Sequence, residues 1–447
     1  MTKQLIAVGW GARVGLLLTS MGTAMAAALC AIAAAQGQIP NAPAPILIPK
    51  ENALPDRIAD KPSQPPAFKI AVGPLGFSGP GAIYLGQRNS VVSLDFLDEN
   101  RLLFTFRVPG LVHRDSGEGE ERRIRAVVLK LPEGTVEAEA LWTVHDRQRY
   151  LWALSEGRFL LRDRNNLEMG DATLELKPFL RFPGPLLWLE MDPTQQILVT
   201  NSREPAAREQ TGERSRQETQ NGFGQQSSGE SDLEVRILRR DSGQVMLVSR
   251  ARSTVHLPIN SDGYLESLRA RGGEWLLNLK YFSGGSAIVG QVESSCPPLF
   301  DFLSQREVLA TTCASEGAGK LVAMTTDGRR LWDAATSNTT VWPLVVRSPD
   351  GLRLAREALA INRPVRARTT LDQDDIVGQL VEVVNAADGS VVLETAANPV
   401  LDAGGNVAIS PSGQRVAVLT GGAVQVFELP APKPLPVAAL PGPVLTR

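Results

Sequence analysis

The sequence predicts an all-β chain: a seven-bladed β-propeller whose N-terminal strand closes the last blade. Three observations lead there. A hairpin is written repeatedly, most clearly as Ser348-Pro349-Asp350-Gly351-Leu352-Arg353-Leu354-Ala355 and as Ser410-Pro411-Ser412-Gly413-Gln414-Arg415-Val416-Ala417. Turns of this kind recur at intervals that approach the 40 to 50 residues of a four-stranded blade once polar insertions are set aside. The last repeat lacks a strand, and an orphan strand stands near the other end of the chain.

Each repeat is built the same way. A Pro/Asp/Gly turn separates two short apolar stretches, Pro presetting φ and Gly supplying the positive φ where the strands reverse. Inner hairpins are predicted to turn at Asp98-Glu99-Asn100, Ser155-Glu156-Gly157, Asp192-Pro193-Thr194, Gly272-Gly273, Ser304-Gln305, Pro349-Asp350-Gly351 and Pro411-Ser412-Gly413. Outer hairpins are predicted at Pro132-Glu133-Gly134, Asp241-Ser242-Gly243, Thr326-Asp327-Gly328 and Ala387-Asp388-Gly389. The last blade has strands at Asn406 to Ser410, Arg415 to Thr420 and Ala423 to Leu429, and then the chain turns to prolines. Phe68 to Val72 is the natural donor of its fourth strand, because closing the ring removes an edge that would invite aggregation. No segment of the body has a helical apolar period.

The ends and one insertion are read differently. Lys3 and Arg13 precede an uncharged small-residue and apolar run from Val14 to Ala35, the pattern of a secretory signal cleaved after Ala35. A run of that length can also span a bilayer, so residues 1–35 are a signal peptide or an uncleaved anchor. Residues 36–66 form a Pro-rich tether, 67–429 the propeller, and 430–447 a Pro-rich tail. Within the third blade, residues 203–231 are Arg, Glu, Gln, Ser, Gly and Thr with Phe223 as the only large apolar residue, the composition of a disordered insertion. The protein is therefore expected to be exported, to a periplasmic or extracellular space or as a membrane-anchored form. Membrane contact is expected only through residues 14–35.

The chain has 447 residues, 43% of them hydrophobic, enough for a large core. A formal net charge of -2 supplies no electrostatic case for nucleic acid or for an anionic membrane. Cys296 and Cys313 flank a predicted hairpin, Pro297 to Leu303 and Glu307 to Thr312, nearly equidistant from its turn, so a cross-strand disulfide is expected if the register holds.

Between residues 68 and 429 the chain resembles WD40-like and YVTN-type propellers, most firmly over Ser348 to Ala355 and Asn406 to Leu429. The Gly-His dipeptide of WD40 repeats is absent, and Trp-Asp occurs once, at Trp332-Asp333, on a predicted fourth strand. The resemblance implies a ring of radial blades with a central channel and two loop faces, commonly used to hold partners. It implies no reaction.

No catalytic or ligand motif rises above this background. His113, His145 and His256 have no second His or Cys at ligand spacing, so no metal site is expected. Asp372, Asp374 and Asp375 lack the Gly and closing Glu of a calcium loop and read as a solvated insertion. The tryptophans, spread about one per blade, read as core, and Arg122, Arg123 and Arg125 lie beside Glu118, Glu120 and Glu121, which cancels a basic patch. The carboxylates to watch are Asp95, Glu190 and Asp301, each on a predicted innermost strand. Acids there can hold Ca²⁺ or act as a general acid/base pair, or can simply tie one blade to the next.

The expected function is a non-enzymatic binding or scaffolding module, monomeric and free of cofactors, with a protein partner on a loop face or at the channel mouth. The alternative is a propeller hydrolase or lactonase-like enzyme using Asp95, Glu190 and Asp301. The two differ in whether those acids stand free in the channel or are each met by an Arg or a backbone amide.

Overall fold

The computed structural model describes residues 62–78, 92–108, 121–145, 149–203, 233–314, 319–364, 372–401 and 404–433. The expected signal or anchor, most of the tether, the polar insertion, the end of the tail and His113 lie outside them. The described residues form seven small antiparallel sheets.

In chain order the innermost strands of blades 1, 2 and 3 are Val92–Asp98, Leu151–Ala153 and Leu186–Met191. Those of blades 5, 6 and 7 are Leu299–Phe302, Thr340–Arg347 and Val407–Ile409. Blade 7 is completed by Phe68–Ala71, which pairs antiparallel with Ala423–Glu428 in the register Phe68↔Val426 and Ile70↔Val424. The ring thus closes as the sequence predicts. Ile70 and Val72 are buried among Leu94, Phe104, Leu129 and Val424, so the borrowed strand also welds blade 7 to blade 1. Strand alternation splits the third strand: Val424 and Val426 face blade 1, whereas Phe427 faces blade 6. Upstream, Ser63 and Glu394 exchange hydrogen bonds of 2.8 and 2.9 Å, which pins the chain before the closing strand to the rim of blade 6.

Blade 4 departs from expectation. Its regular sheet has three strands, Gly263–Arg269, Glu274–Tyr281 and Ser286–Glu293. The innermost position is filled by Leu257 to Asn260, joined to Gly263–Arg269 by an Ile259↔Tyr264 bridge and by hydrogen bonds from Leu265 N to Pro258 O and from Asn260 N to Gly263 O. Gly272-Gly273 is consequently the second-to-third turn, not the inner turn. The inner turn is Asn260-Ser261-Asp262-Gly263, capped by Asn260 Oδ1, which accepts the amides of Asp262 and Gly263. Pro258 hides this strand from a pattern reading, because it supplies no N–H to a ladder.

Several inner turns share one device: a polar side chain at the end of the inner strand accepts amides of its own turn. Asp192 accepts those of Thr194, Gln196 and Ile197; Ser348 accepts Arg353 N, and Ser410 accepts Arg415 N.

Arg203 and Leu233 are direct cross-strand partners in blade 3, so the insertion between them starts and ends at adjacent Cα positions. Replacing residues 204–232 with Asn-Gly is therefore expected to leave the thermal midpoint unchanged or raise it, since a shorter loop costs less closure entropy, about 0.6 kcal/mol per halving. A fall of the midpoint in differential scanning calorimetry would contradict that reading.

Cys296 and Cys313 form a disulfide, with Cα atoms 5.6 Å apart, between the entry to the inner strand of blade 5 and the exit of its second strand. The bridge closes a loop at a sequence separation of 17, for which the chain-entropy estimate is about 3 kcal/mol. Reduction is expected to lower the midpoint accordingly, and quantitative alkylation of both thiols without reductant would show that the bridge does not form.

Candidate functional site at the ring centre

The three acids singled out from the sequence all lie on innermost strands, and each lies in the field of a cation contributed by the following blade. Glu190 is the most tightly held. Trp188 and Glu190 share a face of their strand by two-residue periodicity. The Trp188 indole N–H donates to Glu190 Oε1 at 2.5 Å, and Leu257 N donates to Oε2 at 3.1 Å. His256, from the irregular inner strand of blade 4, donates through Nδ1 to the same Oε1. Its other nitrogen, Nε2, faces Phe300 O of blade 5 at 2.8 Å and Asp301 Oδ1 at 3.9 Å.

Both imidazole nitrogens therefore face acceptors, which only the doubly protonated ring satisfies. Burial pushes the His256 pKa down, but the charge and hydrogen bond of Glu190 outweigh it and hold it at about 10. Burial likewise pushes Glu190 up, and the histidinium, the indole and the Leu257 amide bring it below the usual carboxylate range.

Arg347 ends the inner strand of blade 6 and reaches over the ring centre. Its guanidinium donates to Phe302 O of blade 5 and, at 3.0 Å, to Met191 O of blade 3. Asp301 lies within its field, yet burial dominates and raises the Asp301 pKa, with His256 and Arg347 opposing. Asp301 is crowded by protein but 43% of its side chain is open to water, as befits a narrow wet channel.

On the other side of the ring, Asp95 of blade 1 accepts from Ser93 Oγ at 2.5 Å. Burial raises its pKa to about 6 against the opposing pull of Arg149, Ser93 and the Ala153 amide. Arg149, just before the inner strand of blade 2, rests on the Trp152 ring with its guanidinium carbon 5.5 Å from the centroid. It also lies in the field of Glu357, on the second strand of blade 6.

Glu357 is fully buried. Gln379 Nε2 donates to its Oε2 at 3.0 Å, while Oε1 has no partner. Burial lifts its pKa to about 8, so it is neutral at pH 7. A raised acid favours folding at low pH and loses that advantage as pH climbs from its ordinary 4.5 through 8. Glu357→Gln is therefore expected to flatten stability over that window and to gain a few kcal/mol above pH 8, one pKa unit being about 1.4 kcal/mol. Denaturant melts at pH 5 and pH 9 check this, and an unchanged slope would overturn it.

The centre thus carries charges of alternating sign on six successive blades: Asp95, Arg149, Glu190, His256, Asp301 and Arg347. Sequence reading found the acids and missed all three cations. Arg149 and Arg347 sit at the ends of strands, where a charged residue looks solvated, and His256 lies beside Pro258 in a stretch that does not read as a strand.

Elsewhere, His145 contacts Asp163 through Nδ1 at 3.0 Å, and Asp375 is paired with Arg363. Among the described residues no three His, Cys, Asp or Glu side chains are grouped to hold a metal ion. No helix among them is long and apolar enough to cross a membrane.

Topology and centre together define a seven-bladed β-propeller with a charge-paired core. No family model and no curated protein matches the sequence. In fold it is similar to a chain of the mitotic checkpoint complex, at 9% identity and a TM-score of 0.41 over 89% of this chain and 98% of that one. It is also similar to the acylaminoacyl peptidase of Pyrococcus horikoshii, at 10% identity and a TM-score of 0.39 over 70% of this chain and 52% of that one. A third likeness is a functionally unknown protein from Desulfotomaculum acetoxidans, at 11% identity and a TM-score of 0.36 over 66% of this chain and 85% of that one. The chain spans about half the length of the peptidase. These likenesses bear on the fold alone.

Proposed function

We propose that the protein is an exported, non-enzymatic binding or scaffolding module that presents a loop face or the channel mouth to a protein partner. One observation carries this reading. Glu190 at the ring centre is committed to blade 4 through His256 and the Leu257 amide, and the one histidine among the central charges has both nitrogens engaged. A general base needs an unprotonated nitrogen facing substrate, and a general acid must give up its proton near the working pH. His256 offers neither. The disulfide is consistent with an oxidising compartment and so with export.

The competing hydrolase reading makes a clean forecast of its own. Wild-type protein would turn over activated esters or lactones, and Glu190→Gln and Asp301→Asn would abolish that turnover. The binding reading expects no turnover above background in the wild type. Crosslinking of the native protein in its own envelope, with peptide mapping, should place partner contacts on one loop face. Turnover that Glu190→Gln removes overturns the binding reading.

A further inference from the structure

Arg347 bars one end of the central channel. It holds the last position of the inner strand of blade 6, and its guanidinium donates to Phe302 O of blade 5 and, at 3.0 Å, to Met191 O of blade 3. Met191 and Phe302 also end their inner strands, so this one side chain spans the axis at the end of the ring that carries the inner turns. A ligand therefore enters from the other end, where the inner strands begin. Toward that end the wall turns apolar. Trp188 stands two residues before Glu190 and Leu299 two before Asp301, so strand alternation puts each on the channel face with its acid. Trp188 is 37% exposed and Leu299 39%, and among the described residues no other large apolar side chain on an innermost strand is as open. The indole is held in place by its N–H bond to Glu190. Among the described residues no cation of the chain lies over its ring, whereas the buried Trp152 and Trp275 carry Arg149 and Arg269 on theirs.

Asp301, beside Leu299, lacks a donor. His256 Nε2 stands 3.9 Å from its Oδ1 but is turned to Phe300 O at 2.8 Å, and Arg347 makes its hydrogen bonds to backbone carbonyls of blades 5 and 3. Among the described residues no hydrogen bond reaches the Asp301 carboxylate, although 43% of its side chain is open to the channel. Its charge is also only partly matched, because His256 touches Glu190, and Arg347 lies in the fields of Glu190 and Asp192 as well. A side chain that fits must lay an aliphatic stem on Trp188 and Leu299 and bring positively charged N–H donors to Asp301. In a channel that one guanidinium spans, the compact ammonium of lysine fits beside Arg347 better than a second planar guanidinium.

We propose that Trp188, Leu299 and Asp301 receive a lysine side chain that a protein partner inserts into the channel from the end where the inner strands begin. This rests on the binding reading above and adds the partner's chemistry and the face it uses. N-acetyl-lysine N-methylamide serves as the probe, and the indole N–H resonance of Trp188 in the full-length protein, assigned with Trp188→Phe, is the reporter. That resonance is expected to shift saturably at millimolar probe. The neutral N-acetyl-norleucine N-methylamide should bind about ten-fold more weakly, and Asp301→Asn should weaken the lysine probe by about as much, the loss expected when a hydrogen bond to a charged group is removed. The absence of a saturable shift, or equal binding of the two probes to the wild type, overturns the proposal, and so do partner crosslinks confined to the inner-turn end of the ring. Those results leave the binding reading standing, whereas turnover that Glu190→Gln removes overturns that reading itself.

Discussion

Deletion of residues 68–77 is expected to abolish the folded monomer, whereas deletion of residues 36–61 leaves the melting transition unchanged. The first deletion removes the strand Phe68–Ala71 with all of its pairing to Ala423–Glu428. It also removes Ile70 and Val72 from the core shared with blade 1, together with Phe68, and the edge-on packing of Phe77 against Phe104 and Phe106. At about 1.5 kcal/mol or more for each of four apolar side chains, the loss approaches 6 kcal/mol. That rivals the whole stability of an ordinary domain. The exposed Ala423–Glu428 edge should then recruit other molecules, so aggregation accompanies the loss. Size-exclusion chromatography and calorimetry decide it: a monomeric truncated protein with an unaltered transition would mean that the ring is not closed by this strand.

The second large effect belongs to His256. His256→Ala removes the cation between Glu190 and Asp301 and leaves Glu190, whose side chain is 14% exposed, beside an empty site. Breaking a fully buried pair costs about 3–5 kcal/mol. A third of His256 is open to water, at 34%, so about 2 kcal/mol is the better expectation. Glu190→Gln in the same background should recover much of it, because the stranded charge is then gone, and this rescue separates pairing from mere packing.

The pH dependence follows by sign. A histidine raised above its ordinary 6.5 contributes fully below that value and loses its contribution as pH rises through about 10. A glutamate depressed below 4.5 contributes above that value and loses it as pH falls through the depressed one. Wild-type stability from this pair is therefore greatest between about pH 4.5 and 6.5 and declines toward alkaline pH. That decline should be smaller in His256→Ala, which chemical denaturation from pH 6 to pH 10 would register.

Much of the propeller was legible because its turns are local chemistry. Pro349-Asp350-Gly351 and Pro411-Ser412-Gly413 announce themselves by φ preferences, and alternation marks the strands between them. Blade 4 was misread because its inner strand carries Pro258, and the nearest strong turn signal, Gly272-Gly273, belongs to the next connection. The disulfide was legible from its symmetry about Ser304-Gln305. The ring centre was only half legible. Acids inside an apolar strand stand out, whereas a cation at a strand end is the same in sequence whether it is solvated or, like Arg347, reaches across to Met191. Which residues meet at a propeller's axis depends on blade register, a long-range property that no local pattern encodes.

If the acids at the ring centre are structural and held by cations, His256 is locked as an imidazolium. Nitrogen-15 NMR of histidine-labelled protein reads this directly. Both ring nitrogens of His256 are expected to stay protonated from pH 6 to pH 9, with loss of a proton near pH 10. A His256 ring that loses a proton near its ordinary 6.5, leaving one nitrogen free to act as a base, would contradict it.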